Sequence, residues 1–366
     1  MLMKQTDVNV TLLVHLEITI YKWGKELVDL FKAQAIKKKC KLHTVYEATK
    51  IKEYTTPIII VGVNSVWLNE AIEKLKKQNC KLILIYGATQ NNYEKVSCFS
   101  IDQHLTIQKT LNLLYLQGRT RPAFFGLQKN DTSDQTKALT FAKRFPHDIY
   151  TIEDDVSQVC DLLISKIDLY DSVICANDVI AIYLLSRLRR MGISVPNDIY
   201  LVGNGNIWLS AHVTPSLTTA MVNTETIVKM AFQAYENLCE FKNLDSLNVS
   251  LAPQIIQRNS TSASQTIKSD SSNVCKRENS REFSEEKLPP EFLSIVTIDR
   301  VFSSCSDTQK EILRFWIDGV GVEEIAEKLF ISDNAVKYHL KTLYKKLGIH
   351  SKKEFLKIID EFGITF

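Results

Sequence analysis

The chain has 366 residues, 45% of them hydrophobic, and 45 Lys and Arg against 42 Asp and Glu give a net charge of +3. That is length enough for two or three cores and a charge too balanced for a disordered chain. No apolar run approaches the roughly 20 residues of a membrane span, and the eight cysteines, at 40, 80, 98, 160, 175, 239, 275 and 305, form no CxxC pair and no Cys/His cluster. A reducing cytoplasm is therefore the expected location, and neither a metal site nor a cofactor is expected.

In chain order, Val8, Val10, Leu12, Val14, Leu16, Ile18 and Ile20 alternate with polar residues, which predicts a strand and not a signal peptide. A helical pattern over Leu27–Lys38 comes next, then PIIIVGV, a helix over Leu68–Lys77, KLILIYG, a helix over Leu105–Leu116, and PAFFGL. After these come a helix over Gln135–Arg144, the short strand DIYTI, a helix over Val156–Ile167, SVICA, a helix over Val179–Met191, and IYLVGN. Strictly alternating strands and helices predict an α/β fold of parallel sheets with helices on both faces, in which ligands meet the carboxyl ends of the strands. Residues 262–290 are rich in Ser, Asn and charge and end in Pro-Pro, which reads as a flexible linker. The adjoining EFLSIVTIDRVF reads as a short helix or an arm.

The carboxyl-terminal part, residues 291–366, reads as a small all-α domain. Ser306 and Gln309 form a capping box ahead of Ile312, Leu313 and Trp316, and Gly319 stops that helix. Val322, Ile325, Ala326 and Leu329 mark a second helix; Ser332 caps a third, with Val336, Leu340, Leu343 and Leu347 on one face. Asn334, Lys337, Tyr338, Lys341 and Lys345 occupy the other face. Charge is polarised the same way: residues 303–336 hold three Lys/Arg against seven Asp/Glu, residues 337–357 seven Lys against one Glu. Lysines so placed neutralise phosphates, and those near the helix start reach base edges in a major groove.

The run EEIAEKLFISDNAVKYHLKTLYKKLGIHSKKEF resembles the LuxR-type (GerE-like) helix-turn-helix, with Ile325-Ala326, Leu329, Ser332, Val336, His339, Lys346-Leu347 and Gly348 at the family's spacing. The resemblance implies groove contacts from Lys337, Tyr338 and Lys341 and a backbone clamp at Lys352. Two positions depart from the family: Gln309 stands for its usual Glu, and Ala335 for its usual Thr.

Upstream, DSVICANDVIAIYLLSRLRRMGISVPNDIYLVGNGN, TPSLTTAMVNTETIVKMAFQAYENL and IIQRNST resemble the effector-binding core of LacI/GalR-type regulators, a periplasmic-binding-protein-like fold. The resemblance covers residues 8–261, is clearest from Asp171 onward, and implies a two-lobed sensor in residues 1–261. It implies effector contacts at Lys137, Asn177, Asp178, Tyr86 and Asn206. Tyr86 and Gly205 stand where the family places carboxylates, which argues against an ordinary hexose. Lys137, read as a lysine lacking a carboxylate partner, points to an acidic sugar or another anion. Asn177 and Asp178 also fit as caps of the helix from Val179, and Asn204 and Asn206 as turn residues.

The combined expectation is a non-enzymatic transcription regulator that binds double-stranded DNA and is modulated by a small-molecule effector held between two α/β lobes. A homodimer is expected, with RNA polymerase as a further partner and no membrane. The alternative is a sensor that has lost its small molecule and docks a protein.

Overall fold

The computed structural model describes residues 9–16, 18, 22–62, 65–85, 94–128, 131–152, 155–262 and 290–366. They fall into two units, one from Met1–Thr106 and Val222–Gln254 and one from Ile107–Met221 and Ile255–Phe366. In chain order the elements are β1 (Asn9–Val14), α1 (Lys22–Lys37), β2 (Lys41–Val45), β3 (Ile58–Val61), α2 (Ser65–Lys76), β4 (Leu82–Ile85), β5 (Val96–Ile101) and α3 (Gln103–Leu116). Then come β6 (Pro122–Leu127), α4 (Thr132–Ala142), β7 (Ile149–Thr151), α5 (Val156–Ile164), β8 (Ser172–Cys175), α6 (Asp178–Arg190), β9 (Tyr200–Asn204), α7 (Trp208–His212) and β10 (Thr218–Met221). The chain continues through α8 (Thr224–Glu240), β11 (Asn248–Leu251), β12 (Gln254–Ile256), α9 (Pro290–Ser303), α10 (Asp307–Ile317), α11 (Val322–Leu329), α12 (Asp333–Leu347) and α13 (Lys352–Phe362).

The first unit is built on a six-stranded sheet in the order β11-β5-β4-β3-β1-β2, paired in parallel throughout. Successive residues of a strand point to opposite faces, so its aliphatic runs feed two cores at once. Leu12, Ile59 and Ile83 pack with Phe31 of α1 and Phe232 of α8, while Leu13, Ile60 and Leu84 pack with Ile72 and Leu75 of α2. Fully buried central strands explain why PIIIVGV and KLILIYG read as continuous apolar runs.

The second unit carries another six-stranded sheet, ordered β12-β10-β9-β8-β6-β7, in which β6 to β10 pair in parallel. Helix α6 is capped by Asn177, whose side chain accepts from Ile180 N. Its residues are buried almost all round because it packs on the sheet strands β8 and β9 on one side and on α9 and α13 on the other.

The carboxyl-terminal helices belong to this second unit. Ser306 and Gln309 form both bonds of the capping box, so the departure from Glu costs α10 no bond. Phe330 closes α11 in the left-handed region (φ 55°), and Ser332 caps α12 by accepting from Ala335 N. The fourth helix, α13, is not among the predicted elements. Its capping Ser351 and its buried Phe355, Ile359 and Phe362 supply the signal.

The predicted linker lies almost wholly in residues 263–289, outside those described, but the helical domain beyond it is no isolated module. Buried apolar residues of the second sheet and of the carboxyl-terminal helices form one continuous cluster, bridged by Phe292, Val296 and Phe302 of α9. Tyr183 of α6 meets Phe292 edge-on at 5.5 Å, and the Trp208 ring lies 5.9 Å from Phe302 and 5.7 Å from Phe366. Polar bonds run along the same seam. Leu209 N donates to Asp299 Oδ1 at 2.8 Å, Thr365 N donates to His212 O at 2.7 Å, and Val213 and Ile364 form an antiparallel bridge. The Arg189 guanidinium donates to the Asp360 and Glu361 carbonyls at the end of α13 and to Thr214 O, while Arg190 pairs with Glu361. Gly363 ends α13 at φ 59°, a conformation that favours glycine, and a Cβ there would lie 2.3 Å from Arg189 Nη2 and force that guanidinium to move. Among the described residues no helix is long and apolar enough to cross a membrane, and no group of His, Cys, Asp or Glu is arranged to hold a metal.

Candidate functional site

Two surfaces carry the sequence-predicted residues. The first is α12. Val336, Leu340 and Leu343 are buried against the other carboxyl-terminal helices, and Asn334, Lys337, Tyr338, Lys341 and Lys345 are exposed, Tyr338 to 68%. Lys337, Lys341 and Lys345 form no ion pair among the described residues, so their charge is directed at solvent. Lys352, at the start of α13, is placed differently: its Nζ lies 3.8 Å from the centre of the Trp316 ring, whose Nε1 donates to Tyr344 OH at 2.9 Å. The indole fixes the lysine beside the α12 surface by a cation–π contact. From sequence, Trp316 reads only as a core residue. His339, half-buried, faces Gln309 Nε2 at 3.4 Å and joins α12 to α10.

The second surface is the carboxyl edge of the second sheet, where β6, β8 and β9 end side by side. Lys137 Nζ donates to Ala176 O just beyond β8, and Asn204 Nδ2 at the end of β9 donates to Cys175 O. These two bonds draw the first turns of α4 and the strand ends together. Lys137 is not the unpartnered lysine expected: Asp134, one turn earlier on α4, lies 2.8 Å from Nζ, and the two side chains are only 6% and 5% exposed. The i, i+3 spacing of an acid and a base on one helix is the signal that identifies this pair. Ser133 Oγ and Asn204 Oδ1 are buried at the same edge and make no hydrogen bond among the described residues. A buried polar atom left unbonded costs about 1–3 kcal/mol, so such atoms mark places where a ligand or water completes the set.

The other predicted ligand residues are committed to the fold. Asn177 spends its carbonyl on Ile180 N, as a helix cap does, which leaves its Nδ2 available. Asp178 is fully buried; its carboxylate accepts from Ile207 N at 3.1 Å, Ser210 Oγ at 2.8 Å and Thr219 Oγ1 at 2.7 Å. Burial raises its pKa above the usual carboxylate range, and those three donors and the nearby Arg258 oppose the rise. Gly203 must be glycine beside it, since a Cβ would fall 2.0 Å from Asp178 Oδ1. Asn206 (φ 57°) accepts from Arg258 Nη2 at 2.6 Å and donates to Met221 Sδ at 3.4 Å. Tyr86 lies outside the described residues.

Comparison with known proteins gives both surfaces a context. Residues 113–261 match the model described as a periplasmic binding protein-like domain, and residues 303–358 match bacterial regulatory proteins of the luxR family. The HTH-type transcriptional repressor PurR of Vibrio campbellii is 34% identical over 88 residues, which is 24% of this chain and 26% of that protein. The chain thus aligns with about a quarter of the length of the curated relatives it matches. Among solved structures, the transcription regulator CcpA of Lactococcus lactis superposes with a TM-score of 0.56 at 14% identity, covering 69% of this chain and 100% of that one. The transcriptional regulator CelR in complex with cellobiose gives 0.57 at 14% identity, covering 70% and 86%. The chain therefore joins a region that matches a periplasmic binding protein-like domain, with the fold of the superposed regulators, to a carboxyl-terminal region that matches the luxR family of bacterial regulatory proteins.

Proposed function

We propose that the protein is a transcription regulator that reads double-stranded DNA with α12 and responds to a small molecule at the carboxyl edge of its second sheet. The observation that carries the first half is the division of α12 into a buried aliphatic face and an exposed face whose lysines have no acidic partner among the described residues. Lys337, Tyr338 and Lys341 are the base-reading set, with Asn334 at the helix start; Lys345 and Lys352 are the phosphate contacts. Related sensors pair, and one reader offers few base contacts, so the working form is a homodimer in the cytoplasm.

The test is binding to duplexes selected from a random pool. Lys337→Ala and Lys341→Ala are each expected to lose about 1–3 kcal/mol of affinity for the selected sequence, with no change in melting temperature. Lys352→Ala is expected to weaken selected and random duplexes alike and to reduce the salt slope. Equal affinity of Lys337→Ala and the parent at physiological salt would remove α12 from the groove.

The second half rests on Ser133 Oγ, Asn204 Oδ1 and Asn177 Nδ2, polar groups converging on one edge with bonding capacity to spare. The Asp134 carboxylate satisfies the charge of Lys137, which removes the reason to expect an anion. A neutral, hydroxyl-rich effector fits these groups better, and the cellobiose complex of CelR is a precedent on the same fold. Thermal melting against matched neutral and acidic sugars checks this: stabilisation by a neutral sugar is expected, and stabilisation by acids alone would restore the anionic reading.

A further inference from the structure

The residues at the ligand edge and those that hold the DNA reader are joined by one short segment. Asn204 ends β9 with its free carbonyl oxygen, and Asn206 comes two residues later in the left-handed region, held by Arg258. Ile207 N and Ser210 Oγ are tied to the buried Asp178 carboxylate. Immediately after this anchor, α7 makes three contacts with the reader: Leu209 N to Asp299 of α9, Trp208 against Phe302 and Phe366, and His212 O to Thr365 N. The segment then ends at Thr214, whose carbonyl shares the Arg189 guanidinium with the last turn of α13. Val213 bridges to Ile364, so the distance from ligand edge to reader is that of a single short helix and its flanks.

We propose that residues 206–213 are the transmission element of this regulator, with Asp178 as its fulcrum. A tightly packed segment fixed at both ends cannot shift at one end alone. A change in the bonding of Asn204 or Asn206 displaces α7, and α7 displaces the α9 and α13 surface on which the orientation of α12 depends. The stimulus at the ligand edge rests on the effector reading above; the mechanical link does not. Asp178 and Asp299 act as positioning residues, and neither touches DNA in this scheme.

The test uses the full chain without DNA, first free of ligand and then with the sugars of the melting experiment. Asn206→Gly keeps the backbone conformation but removes the amide that Arg258 and Met221 hold. Amide hydrogen exchange read by mass spectrometry is expected to quicken by roughly tenfold in peptides covering both 207–213 and 359–366, while β3 of the first unit keeps its protection. Quickening confined to 207–213 would overturn the proposal. If Asn206→Gly also lowers protection of β3, Ser210→Ala, which removes a single hydroxyl bond to Asp178, reads the same two peptides and decides by the same criterion. A sugar that raises the melting temperature without altering either peptide would overturn the coupling and leave the ligand edge standing. Failure of every sugar to bind would instead remove the effector reading and leave the exchange result intact.

Discussion

Asp178→Ala is expected to lower folding stability by about 3–5 kcal/mol, because it strips three buried donors of their acceptor and leaves the half-buried Arg258 without the carboxylate that faces it. Denaturant titration measures it. Asp178→Asn keeps the shape and one acceptor oxygen and should cost far less. The two variants also separate by pH. Burial raises the folded pKa of this carboxyl, so the unfolded chain releases the proton first. The contribution of Asp178 is therefore fully present below the ordinary value of about 4 and is lost as pH rises through the folded value. The asparagine variant lacks that decline, and identical pH slopes in parent and Asp178→Asn above pH 4 would show that the folded pKa of Asp178 is not raised.

Lys137→Ala is expected to be nearly as damaging, at about 3–5 kcal/mol, since it leaves the Asp134 carboxylate buried without its cation and the Ala176 carbonyl without its donor. The double replacement Asp134→Leu with Lys137→Met removes both charges and should recover most of that loss. A double-mutant cycle by chemical denaturation gives the coupling directly, and additive losses would mean that the two side chains act independently.

The lysine also shows where sequence reading stops. Taken by position in a family, Lys137 is a ligand contact; its partner Asp134 falls just ahead of the helix read over Gln135–Arg144, and only the earlier start of α4 at Thr132 puts the two on one helix. Asn177 and Asp178 present the opposite case, because capping and ligand binding are both open from the residues, and the geometry gives Asn177 one role while leaving an amide nitrogen for the other. The strands of the sheet interiors are legible because burial on both faces writes a continuous apolar run. The β2 strand, with the sequence KLHTV and no buried residue, and β11, NVSL, sit at sheet edges where only one side is paired, and they leave no such trace.

Helix α12 is legible for a different reason: its two faces differ in chemistry at a fixed period, and its cap residues are local. Helix α9 is not. FLSIVTIDRVF has apolar residues around most of its circumference, which on sequence alone fits a helix or an arm. The cause is visible in its two neighbours, the second sheet's helices on one side and the carboxyl-terminal helices on the other.

That double-sided helix limits how freely this protein's parts can be exchanged. The luxR-type match begins at residue 303 and ends at 358. A cassette cut at those limits and grafted onto another protein would leave behind Phe292, Val296 and Phe302, together with Phe362, Ile364 and Phe366. The transplanted piece would carry a bare apolar face, and the donor chain would keep another, each a site for aggregation. Chimeras of this architecture would have to exchange the surface of the second lobe along with the helices that rest on it.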